Sequence, residues 1–244
     1  MKKIAHVLMS FLGSNKRFSS PRRYFRKGLE VYYRNKNNVI ISLNNPEDKV
    51  IFNLIKQIKI ETKMLLSDLE AYQIYTYVKK SEKIKGDIAE VGVYKGGSAK
   101  LINEAKCDTK KVYLFDTFEG LPDTGINDTK DQFKKGLYIG TLDTVKIYLK
   151  KYSNNIFYKG IFPLTAQPIE DKVFSFVHLD LDLYEATIRS LEFFYSRLSP
   201  GGVLISHDYR DSEGVKKAFN EFLSDKNEIL HEPSGCNQCL FIKL

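Results

Sequence analysis

From residue 87 onward, short continuous apolar runs alternate with stretches whose apolar positions recur every three or four residues. The short runs are Asp87–Val93, Lys111–Asp116, Asn155–Lys159, Val173–Asp180 and Val203–Asp208. Each is too short for a helix and lacks the in–out alternation of a half-exposed sheet, so each predicts a buried parallel strand. Between them the spacing predicts helices over Ala99–Lys106, Leu142–Lys151, Tyr184–Leu198 and Glu213–Ser224. In the third of these, Leu191, Phe194, Tyr195 and Leu198 share one face. Strands alternating with helices predict an α/β architecture with a doubly wound, mostly parallel sheet. Two short runs, 228–232 and 238–243, flank Pro233-Ser-Gly235 and predict a closing antiparallel hairpin. Upstream, Val50, Ile51, Leu54, Ile55 and Ile58 predict a helix over 47–60. Ser67 is placed to cap another from Asp68 to about Lys80.

The first strand runs into a glycine-rich corner, Glu90-Val-Gly-Val-Tyr-Lys-Gly-Gly-Ser98. Glycine permits sharp turning and close approach of a ligand to the backbone, and Ser98 is placed to cap the helix that follows. Such corners open bare N–H groups at the carboxyl edge of a sheet, where open α/β folds bind ligands. The glycines fall as G-x-x-x-G-G rather than G-x-G-x-x-G, which disfavours a dinucleotide-dependent dehydrogenase. The second strand ends in Asp116, twenty-four residues beyond Gly92. A carboxylate there is suited to a ribose diol, or else to capping a helix. Thr117-Phe-Glu-Gly-Leu-Pro122 continues as a loop, and the polar stretch 123–136 predicts a lid. Ser199-Pro-Gly-Gly202 reads as a turn.

Three strand ends carry acids: Asp116, the pair Asp180 and Asp182, and Asp208. Parallel strands all open on one side, so these groups converge if the sheet forms as predicted. Asp180 and Asp208 on neighbouring strands suit a hard cation such as Mg²⁺. His207 adds an imidazole, which Mn²⁺, Fe²⁺ or Zn²⁺ accept more readily. Taken singly, Asp180 also reads as a cap for the helix at Tyr184, and His207 as a hydrogen-bonded core histidine.

The net charge of +8 is unevenly spread. Residues 1–60 hold thirteen Lys and Arg against three Asp and Glu, and the rest of the chain twenty-five against twenty-seven. The basicity therefore belongs to an N-terminal arm, residues 1–60, and not to the domain over 61–244. Met1–Gly13 resembles a signal peptide, but His6 and Ser10 interrupt its apolar stretch and no clean cleavage site follows. An amphipathic helix that meets a second subunit or touches a membrane surface fits better. Arg22, Arg23, Arg26 and Lys27 surround Tyr24 and Phe25, a mixture also found in RNA-binding segments. No RNA-binding module accompanies them, so nucleic acid is disfavoured as a partner. No apolar run approaches the ~20 residues that span a bilayer. Three cysteines form no disulfide framework, and Cys236 and Cys239 lack a second pair for zinc. They read as thiols in a surface turn of a cytoplasmic protein.

The acid-x-Gly corner at Glu90 looks like motif I of class I S-adenosylmethionine methyltransferases. Val177-His-Leu-Asp-Leu-Asp-Leu-Tyr-Glu185, Phe194-Tyr-Ser-Arg-Leu-Ser-Pro-Gly-Gly202 and Ser206-His-Asp-Tyr209 closely resemble the macrocin O-methyltransferase (TylF-type) family. Phe115-Asp-Thr-Phe-Glu-Gly-Leu-Pro122 and Glu90–Gly97 match it too, so the resemblance covers about residues 60–225. It implies a Rossmann-like class I methyltransferase fold and S-adenosylmethionine as cofactor, often with Mg²⁺. It also implies methylation of a sugar or glycoside hydroxyl and a homo-oligomer completed through the arm. By position it implies that Glu90, Gly92 and Tyr94 line the methionine end of the cofactor and that Asp116 holds the ribose. Gly97, Ser98, Thr117, Phe118 and Gly160 are the further cofactor candidates. Asp180 and Asp208, with His207, would hold the metal, and Asp182 would be the general base. The family usually carries Asp-Asp-Tyr where this chain has His207-Asp208-Tyr209, which removes one oxygen ligand. The expected reaction is direct displacement, with the acceptor oxygen attacking the sulfonium methyl in line. A cation would acidify the hydroxyl and a carboxylate would take its proton. The alternatives are a metal-independent methyltransferase on another hydroxyl or an amine, and a non-catalytic cofactor-binding protein that docks through its arm.

Overall fold

The structure is a computed structural model that describes residues 32–34, 40–42, 46–129, 132–233 and 235–244. The chain divides into two compact units, residues 1–50 and 51–244. In the first, β1 (Tyr32–Arg34) pairs antiparallel with β2 (Ile40–Ser42), a ribbon that the apolar pattern does not reveal. The amphipathic helix expected at residues 1–13 and the basic run 22–27 lie outside the described residues. So does the expected route to self-association or membrane contact through them. No helix among the described residues is long and apolar enough to cross a membrane.

Helix α1 spans Pro46–Glu61 and buries Phe52, Ile55 and Ile58. Helix α2, Asp68–Lys80, begins at Ser67 with a full capping box: the Ser67 hydroxyl accepts from the Glu70 N–H, and the Glu70 carboxylate accepts from the Ser67 N–H. The sheet strands are β3 (Asp87–Val91), β4 (Val112–Asp116), β5 (Asn155–Lys159), β6 (Phe174–Leu179), β7 (Leu198–Ser206) and β8 (Cys239–Ile242). Helices α3 (Gly97–Ala105), α4 (Leu142–Tyr148), α5 (Tyr184–Tyr195) and α6 (Glu213–Leu223) connect them. The spatial order is β5-β4-β3-β6-β7-β8, parallel throughout except for β8 against β7. The chain leaves β3 in one direction through β4 and β5, then returns to β6 on the other side. The reversal falls between β3 and β6, where open α/β sheets bind ligands. The closing antiparallel segment is present, with 228–232 reduced to a single bridge between His231 and Leu240.

Strand β6 is buried at every position, as its unbroken apolar run requires. On one sheet face Ala89, Val91, Tyr113, Phe115, Val177 and Leu179 pack with Leu191 and Phe194 of α5 and Val215 and Phe219 of α6. Phe162 stacks on Phe194 with ring centres 5.1 Å apart and meets Phe115 edge-on at 5.0 Å. Fully burying one such ring stabilises by about 1.5–3 kcal/mol. Alternation then turns Ile88, Glu90, Phe176 and His178 to the opposite face.

Three local expectations differ. Gly96, not Ser98, is the N-cap of α3, because its φ of 79° suits glycine and starts the helix at Gly97. Ser199–Gly202 lies inside β7 as a bulge: Phe174 pairs with Leu198, yet Phe176 pairs with Val203. Cys236 and Cys239 are buried rather than exposed: Cys239 opens β8 beside β7, and Cys236, in the turn before it, accepts from Gln73 Nε2 at 2.8 Å.

Gly92 decides how closely β3 and β6 approach beyond their ends. Its φ is 90°, and a Cβ there would stand 1.9 Å from the Asp180 carbonyl oxygen. Gly136 has φ 79° but open space around the same point. Gly136→Ala therefore bears only left-handed backbone strain, about 1–2 kcal/mol. Gly92→Ala adds overpacking, for roughly 2–5 kcal/mol in all. Urea unfolding of both variants checks the ranking, and an equal loss from both would contradict it.

Candidate active site

Ladder hydrogen bonds run one residue past the strands. Gly160 N–H donates to Asp116 O, Gly92 N–H to Phe115 O, Asp180 N–H to Val91 O and His207 N–H to Leu179 O, each at 2.9 Å. These bonds set Gly160, Gly92, Asp180 and His207 in a row along the carboxyl edge. A cavity of about 220 Å³ opens above the row. Of the expected cofactor residues, Gly92, Tyr94, Gly97, Ser98, Asp116, Thr117 and Gly160 line it. Asp180, Asp182, His207 and Asp208 line the same cavity, as do Lys63–Leu66, Gly120–Pro122 and Tyr138.

Glu90 and Phe118 do not line it. Glu90 is fully buried one layer below, with Oε1 2.9 Å from His178 Nδ1 on β6. Burial raises its pKa against the opposing pull of His178. Glu90 Oε2 and His178 Nε2 have no hydrogen-bond partner among the described residues. Phe118 serves through its backbone, donating its N–H to Asp116 Oδ1 at 2.6 Å. Asp116 Oδ2 accepts from the N–H groups of Val93 and Tyr94 at 2.7 and 2.8 Å. This carboxylate thus ties the glycine corner to the loop after β4. Burial raises its pKa against these three bonds.

The non-glycine residues with positive φ among the described residues are Tyr94, Phe118, Tyr138, Asp182 and Asp208, with φ between 51° and 62°. All five lie at this edge, and such conformations cost about 1–3 kcal/mol each. Asp182 sits at the centre of a three-residue turn closed by Leu183 N–H on Leu181 O at 2.7 Å. Its own carbonyl accepts from the Ser212 hydroxyl at 2.8 Å. Tyr138 meets Tyr94 edge-on with ring centres 6.1 Å apart.

Asp180, His207 and Asp208 each offer a ligand atom, and these atoms lie within 4.8 Å of one another. His207 Nδ1 is 3.0 Å from Asp208 Oδ1 and 3.4 Å from Asp180 Oδ1. Burial works to raise the Asp180 pKa, but the His207 ring beside it brings it down to about 2. Asp208 is pushed up by burial despite its hydrogen bond to His207. Asp182, buried beside Asp208 and Asp180, is pushed up to about 9. His207 is raised well above its usual value because the surrounding acids outweigh its burial.

Two residues that the sequence did not mark as part of a site support the cluster. Glu70 Oε2 is 3.5 Å from His207 Nε2, and Asn237 Nδ2 donates to Asp208 Oδ1 at 3.1 Å. Ser67-x-x-Glu70 signals a helix start, so the capping pattern conceals the second duty of Glu70. The stretch expected as a lid is docked over the helix starts. Asp128 accepts from Tyr184 N–H at 2.7 Å and Gly125 N–H at 2.8 Å, and Gln132 donates to Asp211 O at 2.6 Å.

Residues 66–234 match the family model described as Macrocin-O-methyltransferase (TylF). The chain belongs to the macrocin O-methyltransferase (TylF) family. It is accordingly a methyltransferase of the S-adenosylmethionine-dependent class. It is 30% identical over 182 residues to the 8-demethyl-8-(2,3-dimethoxy-alpha-L-rhamnosyl)-tetracenomycin-C 4'-O-methyltransferase of Streptomyces olivaceus, covering 64% of this chain and 70% of that one. The solved O-methyltransferase NovP superposes with a TM-score of 0.62 at 22% identity, over 71% of this chain and 78% of that one. The calicheamicin methyltransferase CalS11 does so with a TM-score of 0.60 at 18% identity, over 82% and 93%. These two show the Rossmann-like methyltransferase fold.

Asp182 binds its proton more tightly in the folded chain than in the unfolded one, and Asp208 shifts the same way. Their stabilising contribution is complete below the unfolded carboxylate value of 3.8, and that of Asp182 is lost as pH rises to about 9. Glu70 and Asp180, both held at about 2, act below about pH 5, and His207, raised from 6.5, adds a loss of the same sign above that value. For the metal-free chain, the urea midpoint is expected to fall between about pH 5.5 and 8.5, and to fall less for Asp182→Asn. Parallel pH profiles for the two proteins would remove Asp182 as the source.

Proposed function

We propose that this chain is an O-methyltransferase that acts on a hydroxyl of a sugar or glycoside, assisted by a divalent cation held at Asp180, His207 and Asp208. The relatives named above include a methyltransferase of a rhamnosyl group, which supports the acceptor class. The observation that carries the reading is that Asp180, Asp182 and Asp208 line the same cavity as Gly92 and Asp116.

The cavity suits the cofactor. The first N–H groups of α3 have no helical acceptor and face anionic or polar groups well. Substituting a side chain at Gly92 would collide with backbone, so the corner is kept bare where a ligand comes closest. When bound, S-adenosylmethionine supplies an electrophilic methyl group. The residues proposed to hold it are Gly92, Tyr94, Gly97 and Ser98, with Asp116, Thr117 and Gly160 along the edge.

The donor set suits a cation. Oxygens around an octahedral ion at ~2.1 Å stand about 3 Å apart, close to the 3.0 and 3.4 Å separations of His207 Nδ1 from the two acids. One nitrogen and two carboxylates favour Mn²⁺, Fe²⁺ or Zn²⁺ over Mg²⁺. Such an ion supplies positive charge beside the acceptor oxygen. Asp182 is the proposed base. In the metal-free chain burial and the two neighbouring acids keep its proton on, and Asp182 would release that proton and stand ionised as base with a cation at Asp180 and Asp208. It would take the acceptor hydroxyl proton as the O–CH₃ bond forms.

The test is transfer of labelled methyl from S-adenosylmethionine to a panel of rhamnosides, nucleotide-linked deoxysugars, phenols and amines. Turnover on the sugar hydroxyls, lost with EDTA and restored better by Mn²⁺ than by Mg²⁺, is the expected result. Asp182→Asn should lower turnover by about a hundred- to ten-thousand-fold while calorimetry gives near-wild-type cofactor affinity. Full turnover in EDTA would put the metal-independent reading in its place, and methylation confined to amines would overturn the acceptor class.

A further inference from the structure

His207 lies in a closed ring of polar contacts that joins three separate pieces of chain. Its Nδ1 faces Asp208 Oδ1 at 3.0 Å and Asp180 Oδ1 at 3.4 Å. Asp208 Oδ1 accepts from Asn237 Nδ2 at 3.1 Å. The Asn237 backbone N–H donates to Glu70 Oε1 at 2.7 Å. Glu70 Oε2 closes the ring at 3.5 Å from His207 Nε2. We infer that Glu70 is a positioning residue that holds the Nε2 edge of His207, so that Nδ1 is presented to Asp180 and Asp208 as a nitrogen ligand for a divalent cation.

A carboxylate only accepts hydrogen bonds, so the imidazole nitrogen facing it carries the proton. By the same rule Nδ1, which faces Asp208 and Asp180, also carries a proton in the metal-free chain; a cation there would take the place of that proton on Nδ1 while Nε2–H stays on Glu70. Metal-bound histidines are commonly oriented in this way by a carboxylate on the far nitrogen. Glu70 is well fixed for the task. It is 5% exposed, and its two oxygens accept from the Asn237 and Ser67 N–H groups, each at 2.7 Å. The capping box at the start of α2 anchors its backbone as well. Asn237 touches both Glu70 and Asp208, and its Nδ2 also donates to Asp211 Oδ2 at 2.9 Å. The loop before β8 therefore sets the spacing between the orienting acid and the ligating one. A nitrogen ligand presented this way makes the site selective for Mn²⁺, Fe²⁺ or Zn²⁺ over Mg²⁺.

This inference rests on the proposal that the cluster holds a cation, and the experiment separates the two. The full-length chain is titrated with Mn²⁺ and followed by electron paramagnetic resonance, with pulsed measurement of nitrogen coupling to the bound ion. Wild type is expected to bind Mn²⁺ and show one imidazole coupling, absent in His207→Asp. Glu70→Gln should weaken Mn²⁺ binding by about 10–100-fold. In the His207→Asp background the same change should matter by less than about twofold, because the ring it orients is gone. That comparison removes the contribution of Glu70 to the helix cap, which both backgrounds share. Equal weakening in both backgrounds, or none in either, would overturn the role of Glu70. Mn²⁺ binding without nitrogen coupling would leave a cation held by the two acids without His207 and sink this inference. No Mn²⁺ binding by wild type would take both down.

Discussion

The site depends on the hydrogen-bond ladder continuing one residue past the ends of four parallel strands. A parallel ladder fixes the height of each strand against the next. Because Gly160, Gly92, Asp180 and His207 are each bonded to the neighbouring strand, their heights are set by the same bonds that hold the sheet. The groups proposed for methyl donor and cation are therefore not placed by loops that happen to meet. They are placed by backbone pairing between β3 and β6, where the topology reverses. Gly92 allows the closeness, since any side chain there would strike the Asp180 carbonyl. The gap that admits a ligand and the spacing of the acids are thus one geometric fact.

That closeness carries an electrostatic cost. Asp180, Asp182 and Asp208 crowd one end of the cavity, and buried like charges resist simultaneous ionisation. The chain meets this by dividing the roles. Asp180 stays ionised beside the His207 ring, whereas Asp182 is pushed up to about 9 by burial and its two acidic neighbours. A carboxylate so raised holds its proton at neutral pH in the metal-free chain, and positive charge placed at Asp180 and Asp208 would lower it and free the carboxylate to act as a base. The same corner concentrates the strained backbone: Tyr94, Tyr138, Asp182 and Asp208 all adopt positive φ around the cavity. Strain at such points persists when the surroundings over-determine it. Here the Ser212 hydroxyl on the Asp182 carbonyl and the Asn237 carbonyl on the Tyr209 N–H do so.

How far the sequence disclosed this follows from the range of each signal. Buried strands announce themselves through local composition, so β3 to β7 and the acids at their ends were legible, together with the parallel pairing that opens those ends on one side; the strand order, and so the reversal between β3 and β6, was not. Ser67 was legible as a cap because capping is a three-residue affair. What escaped is long-range. Glu70 and Asn237 are 167 residues apart and share a hydrogen bond, and no periodicity or spacing rule reaches that far. The misreading of Ser199–Gly202 has a different origin: Pro-Gly-Gly marks a turn in isolation, but a bulge inside β7 accommodates the same residues. Likewise Cys239 reads as a surface thiol until the antiparallel pairing of β8 buries it.

Asp116 illustrates how a correct position can carry a broader task than its motif suggests. At the end of β4 it stands where a ribose diol is expected. Yet three backbone N–H groups and, more distantly, the Thr117 hydroxyl already occupy its oxygens. An ionised carboxylate has about four lone-pair sites, so most of its capacity is committed before any ligand arrives. Its first effect is on shape: it turns the N–H groups of Val93 and Tyr94 toward itself and fixes the Gly92 corner against the loop after β4. A ligand hydroxyl meeting Asp116 therefore meets an acceptor whose orientation is already set. The preorganisation that a methyl transfer needs begins with a side chain whose main partners are its own backbone.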